Sequence, residues 1–273
     1  MCPILFSVGP FEIRAYSVFT EIGILVAVFV AWREARRVGI RSEDLLNVAI
    51  YSIVAAILGS RIYYVLGRWP EYAGDWLRIL NFREGGLVFH GGLFAGLVVA
   101  IIYMLWRRIS VWRLLDASAP SLALGEAIAR IGCLLNGCCY GMETDSWLVM
   151  YLPDLYGHWA RRYPTQILQG LADLAIFAIL WSLRKRKPFD GFLLLTYGML
   201  YSLSRLGLES MRAENLTISG ALTAQVVSAI VFVICAALSV LLWRRSQGQG
   251  ASPIPVEGQG PQDPVGKHEV SEN

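Results

Sequence analysis

Seven apolar runs of helix length alternate with short polar segments along this chain, at 16–32, 45–67, 86–106, 114–135, 165–183, 191–209 and 218–243. A helix that crosses a bilayer needs roughly 20 mostly apolar residues, so each run reads as a span. The pattern predicts an all-α integral membrane protein, a seven-transmembrane-helix bundle. The fourth run is the least apolar, with Asp116, Glu126 and Arg130, and is expected to face a polar interior. Only 68–85 and 141–164 make longer connections, and no internal repeat is evident. From Ser246 onward Gly, Gln, Pro and charged residues replace apolar ones. The chain therefore divides into a seven-span domain, 1–245, and a disordered tail, 246–273.

Composition agrees with this division. Of 273 residues, 55% are hydrophobic and 16% charged, against about 25% charged in a soluble domain. The net charge of +3 is small, and the basic residues gather at the ends of the apolar runs. They speak to topology and not to nucleic acid. Arg33, Arg36, Arg37 and Arg41 follow the first run, Arg107, Arg108 and Arg113 the third, Arg184 to Lys187 the fifth, and Arg244 and Arg245 the seventh. The alternate connections carry fewer, which puts the N-terminus outside and the C-terminus and tail in the cytoplasm. The first run is long and followed by arginines, so it reads as a span and not as a cleavable signal peptide.

Charged groups inside the runs carry the functional question. An ionisable group in hydrocarbon costs at least a few kcal/mol and normally faces a polar interior. With N-terminus outside, Tyr16, Arg61, His90, Arg130, Tyr201, Arg205 and Glu209 all fall toward one leaflet. A proton path would spread such groups through the thickness; a lipid head-group site would gather them at one depth. Residues 85–92, Gly-Gly-Leu-Val-Phe-His-Gly-Gly, place His90 between glycine pairs. Histidine titrates near neutrality and can act as a base, or it can simply be satisfied at a close helix-packing seam. Residues 130–141 bring Arg130, Asn136, three cysteines and three glycines to a helix end. The arginine fork suits a phosphate, although Glu126, one turn earlier, can also pair with Arg130. Tyr201, Arg205 and Glu209 share one helix face at i, i+4 and i+8. Pro164, Thr165 and Gln166 read as a helix start. Asn215 heads a discounted glycosylation match.

Five cysteines do not make a disulfide framework. The spacing of Cys133, Cys138 and Cys139 matches no common zinc pattern and histidines are scarce, so neither metal nor cofactor is expected.

These segments, in this order, resemble the bacterial prolipoprotein diacylglyceryl transferase family. The resemblance runs from about Ile4 to Trp243, strongest at 86–92, 130–141, 164–166 and the Tyr201, Arg205, Glu209, Arg212 pattern. It implies a multi-pass enzyme of the bacterial inner membrane, with its active site toward the outer leaflet. It implies transfer of diacylglyceryl from phosphatidylglycerol to the lipobox cysteine of a prolipoprotein, forming a thioether and releasing glycerol phosphate. Its partners would be phosphatidylglycerol, membrane lipid and the prolipoprotein signal peptide. Carried onto this chain, the catalytic set is His90, Arg130, Arg205 and Glu209. In the expected substrate-binding set the resemblance supplies Tyr16, Gly141, Arg130 and Tyr201, and the placement of polar residues toward one leaflet adds Arg61 and Asn136. His90 is the expected thiol base, Arg130 and Arg205 hold the phosphate, with Arg61 as a further candidate, Glu209 orients Arg205, and Tyr16 meets the lipid head.

The chain departs from the family pattern at Cys133, Cys138, Tyr163 and Gln169, which leaves open a paralogue with another lipid acceptor. Two other classes remain beside it. A transporter would also explain intramembrane charge, but the one-sided placement and missing repeat count against it. A thiol-redox protein would use the three cysteines, but no Cys-x-x-Cys is present.

Overall fold

The computed structural model describes residues 3–8, 11–74, 76–79, 81, 86, 88–154, 157–213, 217–218 and 221–248. Gly85 and Leu87 of the glycine segment, the Asn215 match and the tail beyond 248 lie outside the described residues. Seven long helices follow the apolar runs: α1 (Ala15–Arg37), α2 (Ser42–Gly67), α5 (Phe89–Trp106), α6 (Val111–Asn136), α7 (Thr165–Leu183), α8 (Phe192–Glu209) and α9 (Thr223–Gly248). The short helices α3 (Trp69–Tyr72) and α4 (Trp76–Ile79) fill the connection after α2. Three small antiparallel hairpins decorate one end, β1–β2 (Ile4–Val8, Phe11–Arg14), β3–β4 (Met150–Pro153, Trp159–Arg162) and β5–β6 (Thr217–Ile218, Ala221–Leu222).

Among the described residues, α1, α2, α6, α7 and α9 are long and apolar enough to cross a membrane. α5 is a shorter apolar helix from His90. α8 has 18 residues but is diluted by Arg205, Glu209 and several hydroxyls. Large apolar side chains point outward along these helices, among them Phe94 at 72% and Leu25 at 69% exposure. A water-soluble fold would bury them; lipid surroundings satisfy them.

Small residues set the helix crossings. α1 packs chiefly on α6 and α2 on α5. A Cβ on Gly23 would stand 2.6 Å from the Gly125 carbonyl oxygen, and one on Gly125 2.9 Å from that of Gly23. The two backbones touch there, as small-residue interfaces in membranes allow. On the second pair, a Cβ on Gly91 would stand 2.6 Å from the Gly59 oxygen and one on Gly92 2.9 Å from that of Ala56. The glycines after His90 are therefore the seam that joins α5 to α2.

α6 is the most buried of the long apolar helices, as its polar content anticipates. Asp116, 2% exposed, caps the next helix pair. Its Oδ1 accepts the amides of Leu193 (2.9 Å) and Leu194 (3.1 Å), and Oδ2 accepts Gly191 N (2.9 Å) and Lys187 Nζ (3.2 Å). A carboxylate at a helix N-terminus satisfies amides that lack an intrahelical partner. The same end of the bundle holds most of the basic residues in ion pairs: Arg184 and Arg37 on Glu34 (3.0 and 2.7 Å), Arg107 on Asp44 (3.1 Å) and Arg113 on Asp190 (2.8 Å). The seventh helix continues to Gly248, so residues 246–248 of the expected tail are helical.

Candidate functional site

The opposite end of the bundle gathers the remaining charge. Glu126 and Arg130 lie one turn apart on α6 and are ion-paired. Tyr201 of α8 donates its hydroxyl to the same Glu126 oxygen, Oε1, at 3.0 Å, and its ring stacks on Tyr197 at 5.7 Å. One turn further along α8, Arg205 pairs with Glu209 at 2.7 Å, with side chains 17% and 6% exposed. The i, i+4 spacing that places each pair on one helix face does so here. Two helices thus present an arginine each, and each arginine is held by its own carboxylate.

A third helix completes the cluster. On α7, Gln169 Nε2 donates to Asp173 Oδ1 at 2.9 Å, and both side chains are buried. Asp173 lies within electrostatic reach of Glu126, Arg130 and Arg205. Neither Asp173 nor Glu126 is among the expected site residues. The signal for Asp173 is a lone acid in the middle of the fifth apolar run. Arg130 Nε is buried without an acceptor among the described residues, and Asp173 Oδ2 is buried without a donor. A buried guanidinium N–H without a partner is costly. It marks the edge of Arg130 that Glu126 leaves open.

Gly141 is a crossing point of the chain. Its backbone bridges to Arg212, Met142 N reaches Met211 O at 2.8 Å, and Tyr163 N reaches Met142 O at 3.1 Å. A Cβ on Gly141 would fall on the Tyr163 carbonyl oxygen. Three segments meet with no room for a side chain, so geometry gives Gly141 a packing role. Nearby, Arg162 is paired with Glu143 (3.0 Å) and Asp154 (3.5 Å) over the Tyr140 ring.

The cysteines after α6 also converge: the sulfurs of Cys133, Cys138 and Cys139 lie within 4.8 Å of one another. Hydrogen bonds with the Cys133 and Cys138 thiols hold the Cys139 thiol well below its ordinary value, against burial and with help from the Arg212 and Arg130 charges. Tyr16, in the first turn of α1, is partly exposed within electrostatic reach of these three thiols, and α1 meets α6 there through Gly132. Asn136 ends α6 and lines a cleft of about 460 Å³ with Arg14, Asp154 and Trp159.

Two expected residues belong elsewhere. Arg61 is 2% exposed and donates to the carbonyls of Ile79 (2.9 Å), Arg78 (2.9 Å), Asn81 (3.0 Å) and Gly86 (3.5 Å), between the rings of Tyr64 and Tyr72. It clasps the connection between α2 and α5. His90 is exposed at the second position of α5, beside the glycine seam.

A groove of about 220 Å³ opens between α6 and α7. Its wall is Ile128, Ile131, Leu134, Ile167, Leu171 and Leu174, with Arg130 and Gln166 as its polar residues. An apolar trough of this kind can take an acyl chain along its length, with the aliphatic stem of Arg130 on its wall.

Fold and site together define a multi-pass helical membrane protein built around two carboxylate-braced arginines, with an apolar groove between α6 and α7. The family model for prolipoprotein diacylglyceryl transferase matches residues 3–242. The chain is 33% identical over 228 residues to the phosphatidylglycerol–prolipoprotein diacylglyceryl transferase of Clostridioides difficile (strain 630), covering 83% of this chain and 90% of that one. It is 34% identical over 248 residues to the proteins of the same name from Bacillus cytotoxicus and Bacillus anthracis, covering 88% of this chain and 91% of each. The chain belongs to the prolipoprotein diacylglyceryl transferase family.

Proposed function

We propose that this chain is a phosphatidylglycerol–prolipoprotein diacylglyceryl transferase, acting on the lipobox cysteine of prolipoprotein signal peptides at the outer leaflet of a bacterial inner membrane. Family membership carries the activity. The observation that supports the site is Arg130, whose Nε is buried without an acceptor while the residue lines the apolar groove. A lipid phosphate would take that Nε edge while its acyl chains follow the groove between α6 and α7.

The reaction is a displacement at carbon. The substrate thiolate forms an S–C bond to C3 of the diacylglyceryl unit, the C–O bond to phosphate breaks, and glycerol phosphate leaves with the electron pair. Arg130 and Arg205 stabilise the charge that grows on the phosphate, each oriented by its own carboxylate. The thiol must lose its proton, since the thiolate is the nucleophile; His90, which stands apart from the arginines at the exposed start of α5, is the candidate that takes it up. Tyr16, Asn136 and Tyr201 frame the head group. Arg61 acts at a distance, by fixing the connection that leads into α5. The carbon and sulfur are brought in line by side chains mounted on helices.

Seven spans with the N-terminus outside fit this reading. The seven long helices alternate in direction between a basic end, taken as cytoplasmic, and the site end. The direct test is mass spectrometry of a lipobox peptide incubated with the purified protein in vesicles containing phosphatidylglycerol. A mass increase of one diacylglyceryl group on cysteine is expected. An unmodified peptide, under conditions where a relative modifies it, would reject the reading.

A further inference from the structure

The three thiols at the end of α6 lie within seven residues of sequence, and the fold turns them toward one another. Cys133 lies in the last turn of α6, and Gly137 ends that helix in a left-handed conformation, φ 72°. Cys139 also adopts a positive φ of 59°, which non-glycine residues rarely hold. These two reversals fold the chain back so that Cys133, Cys138 and Cys139 face one another. The turn is pinned on both sides. Thr165 Oγ1 donates to the Cys139 carbonyl at 2.8 Å, Gln166 Nε2 to the Cys138 carbonyl at 2.9 Å, and Cys138 N reaches Cys133 O at 3.2 Å. Thr165 and Gln166 are themselves buried. All three cysteines are free thiols.

The donor set is three sulfurs, and within the described residues no imidazole or carboxylate joins the cluster. Soft thiolates select Cu⁺ and Zn²⁺ over magnesium or calcium. In a zinc site with Zn–S of about 2.3 Å, the sulfurs stand about 3.8 Å apart. The sulfurs here are at most 4.8 Å apart, so closing on an ion requires contraction of about 1 Å. Three thiolates leave a negative charge on either metal complex. The guanidinium groups of Arg130 and Arg212, in electrostatic reach of Cys139, offset it.

We propose that Cys133, Cys138 and Cys139 form a three-thiolate site for a thiophilic d¹⁰ cation, Cu⁺ or Zn²⁺. Trigonal coordination by three sulfurs is complete for Cu⁺; Zn²⁺ keeps a fourth position for water. The site goes beyond the transferase reading and does not depend on it.

The test uses the full chain in detergent, reduced and stripped of metal, titrated with Zn²⁺ in one arm and with Cu⁺ under anaerobic conditions in the other. Binding of about one equivalent per chain is expected, with proton release as the thiols ionise. Bound metal should protect Cys133, Cys138 and Cys139 from alkylation, read by peptide mass spectrometry, while Cys235 on α9 reacts at an unchanged rate. Each of Cys133→Ser, Cys138→Ser and Cys139→Ser should weaken binding by more than the roughly 10–100-fold that loss of an outer-shell partner costs, since each removes a ligand itself. The arm that binds more tightly names the metal. Substoichiometric binding in both arms, equal protection of Cys235, or binding that survives in the serine variants overturns the proposal. Protection is measured on the wild-type chain, so a variant that fails to fold does not decide the outcome.

Discussion

The Tyr201 hydroxyl stands 3.0 Å from Glu126 Oε1, the oxygen that also receives the Arg130 guanidinium. One carboxylate oxygen therefore ties α8 to α6 and holds Arg130 with its Nε edge open. Tyr201→Phe removes one hydrogen bond to a charged acceptor, worth about 1.5–3 kcal/mol. Glu126→Gln removes the countercharge of a largely buried arginine, which costs about 3–5 kcal/mol when a buried pair is broken. Thermal unfolding in detergent should rank Glu126→Gln below Tyr201→Phe and both below wild type. A Tyr201→Phe protein with wild-type melting and wild-type transfer would show that the hydrogen bond does not set the site.

Arg130 and Arg205 are each braced by a carboxylate four residues away, and a phosphate needs the remaining edge of each fork. Lysine keeps the charge at either position but loses the planar pair of donors. Arg130→Lys and Arg205→Lys should each reduce diacylglyceryl transfer by roughly 10²-fold or more, on the scale of removing a preorganised donor to a developing negative charge. The assay is transfer from labelled phosphatidylglycerol to a lipobox peptide. Full activity in both lysine proteins would remove the arginines from phosphate binding.

The long helices were readable because a spanning run is a one-dimensional signal: apolar residues over about 20 positions, ended by charge. All seven expected runs became helices, with ends displaced by a few residues; the seventh starts at Thr223 where the run begins at 218. The hairpins were not readable, since four-residue strands such as Trp159–Arg162 carry little pattern. The arginine cluster was readable because each pair is local, Glu126 with Arg130 and Arg205 with Glu209. Arg61 was not, because its partners are backbone carbonyls 17 to 25 residues away, which no side-chain pattern announces. The thiol cluster was hidden for a related reason. Its geometry depends on two left-handed residues, Gly137 and Cys139, and spacing alone predicts only one of them.

Gly141 separates packing from chemistry. A methyl group there would collide with the Tyr163 carbonyl oxygen and stand 3.0 Å from that of Met211. Gly141→Ala should therefore destabilise the protein by about 1–3 kcal/mol, the usual cost of overpacking. Lipid transfer should fall in proportion to folded protein. Asn136→Ala, in the adjoining cleft, should instead leave melting nearly unchanged. If Gly141→Ala melts like wild type but fails to transfer lipid, the glycine serves the substrate directly.

Topology follows from the direction of the helices and the charge at their ends. A reporter fused after Trp243 should be active only in the cytoplasm, and one placed in the Met150–Arg162 hairpin region only outside. The Arg–Lys bias at the ends of short connections predicts both. Activity of the Trp243 fusion on the outer side would overturn the orientation and, with it, the assignment of the site to the outer leaflet.

His90 is the residue whose role geometry leaves most exposed to test. It stands at the solvent-accessible start of α5, while the glycines that follow it lock α5 against α2. An imidazole at a helix start anchored by that seam suits a base that must meet a substrate thiol arriving from outside. His90→Asn keeps a hydrogen-bond donor and similar size but cannot take up a proton near neutral pH. A base role predicts a loss of roughly 10²–10⁴ in rate, the range for general acid–base catalysis. It also predicts partial recovery as pH rises toward about 8.5, where a free thiol ionises unaided. The sign matters: a ring that only donates a hydrogen bond gives a loss independent of pH, or none at all. The rate of the Asn protein should therefore climb with pH more steeply than that of wild type between about pH 6 and 9. Parallel profiles would remove His90 as the base. Thiolate formation would then fall to the departing phosphate itself, at the arginines proposed to bind it.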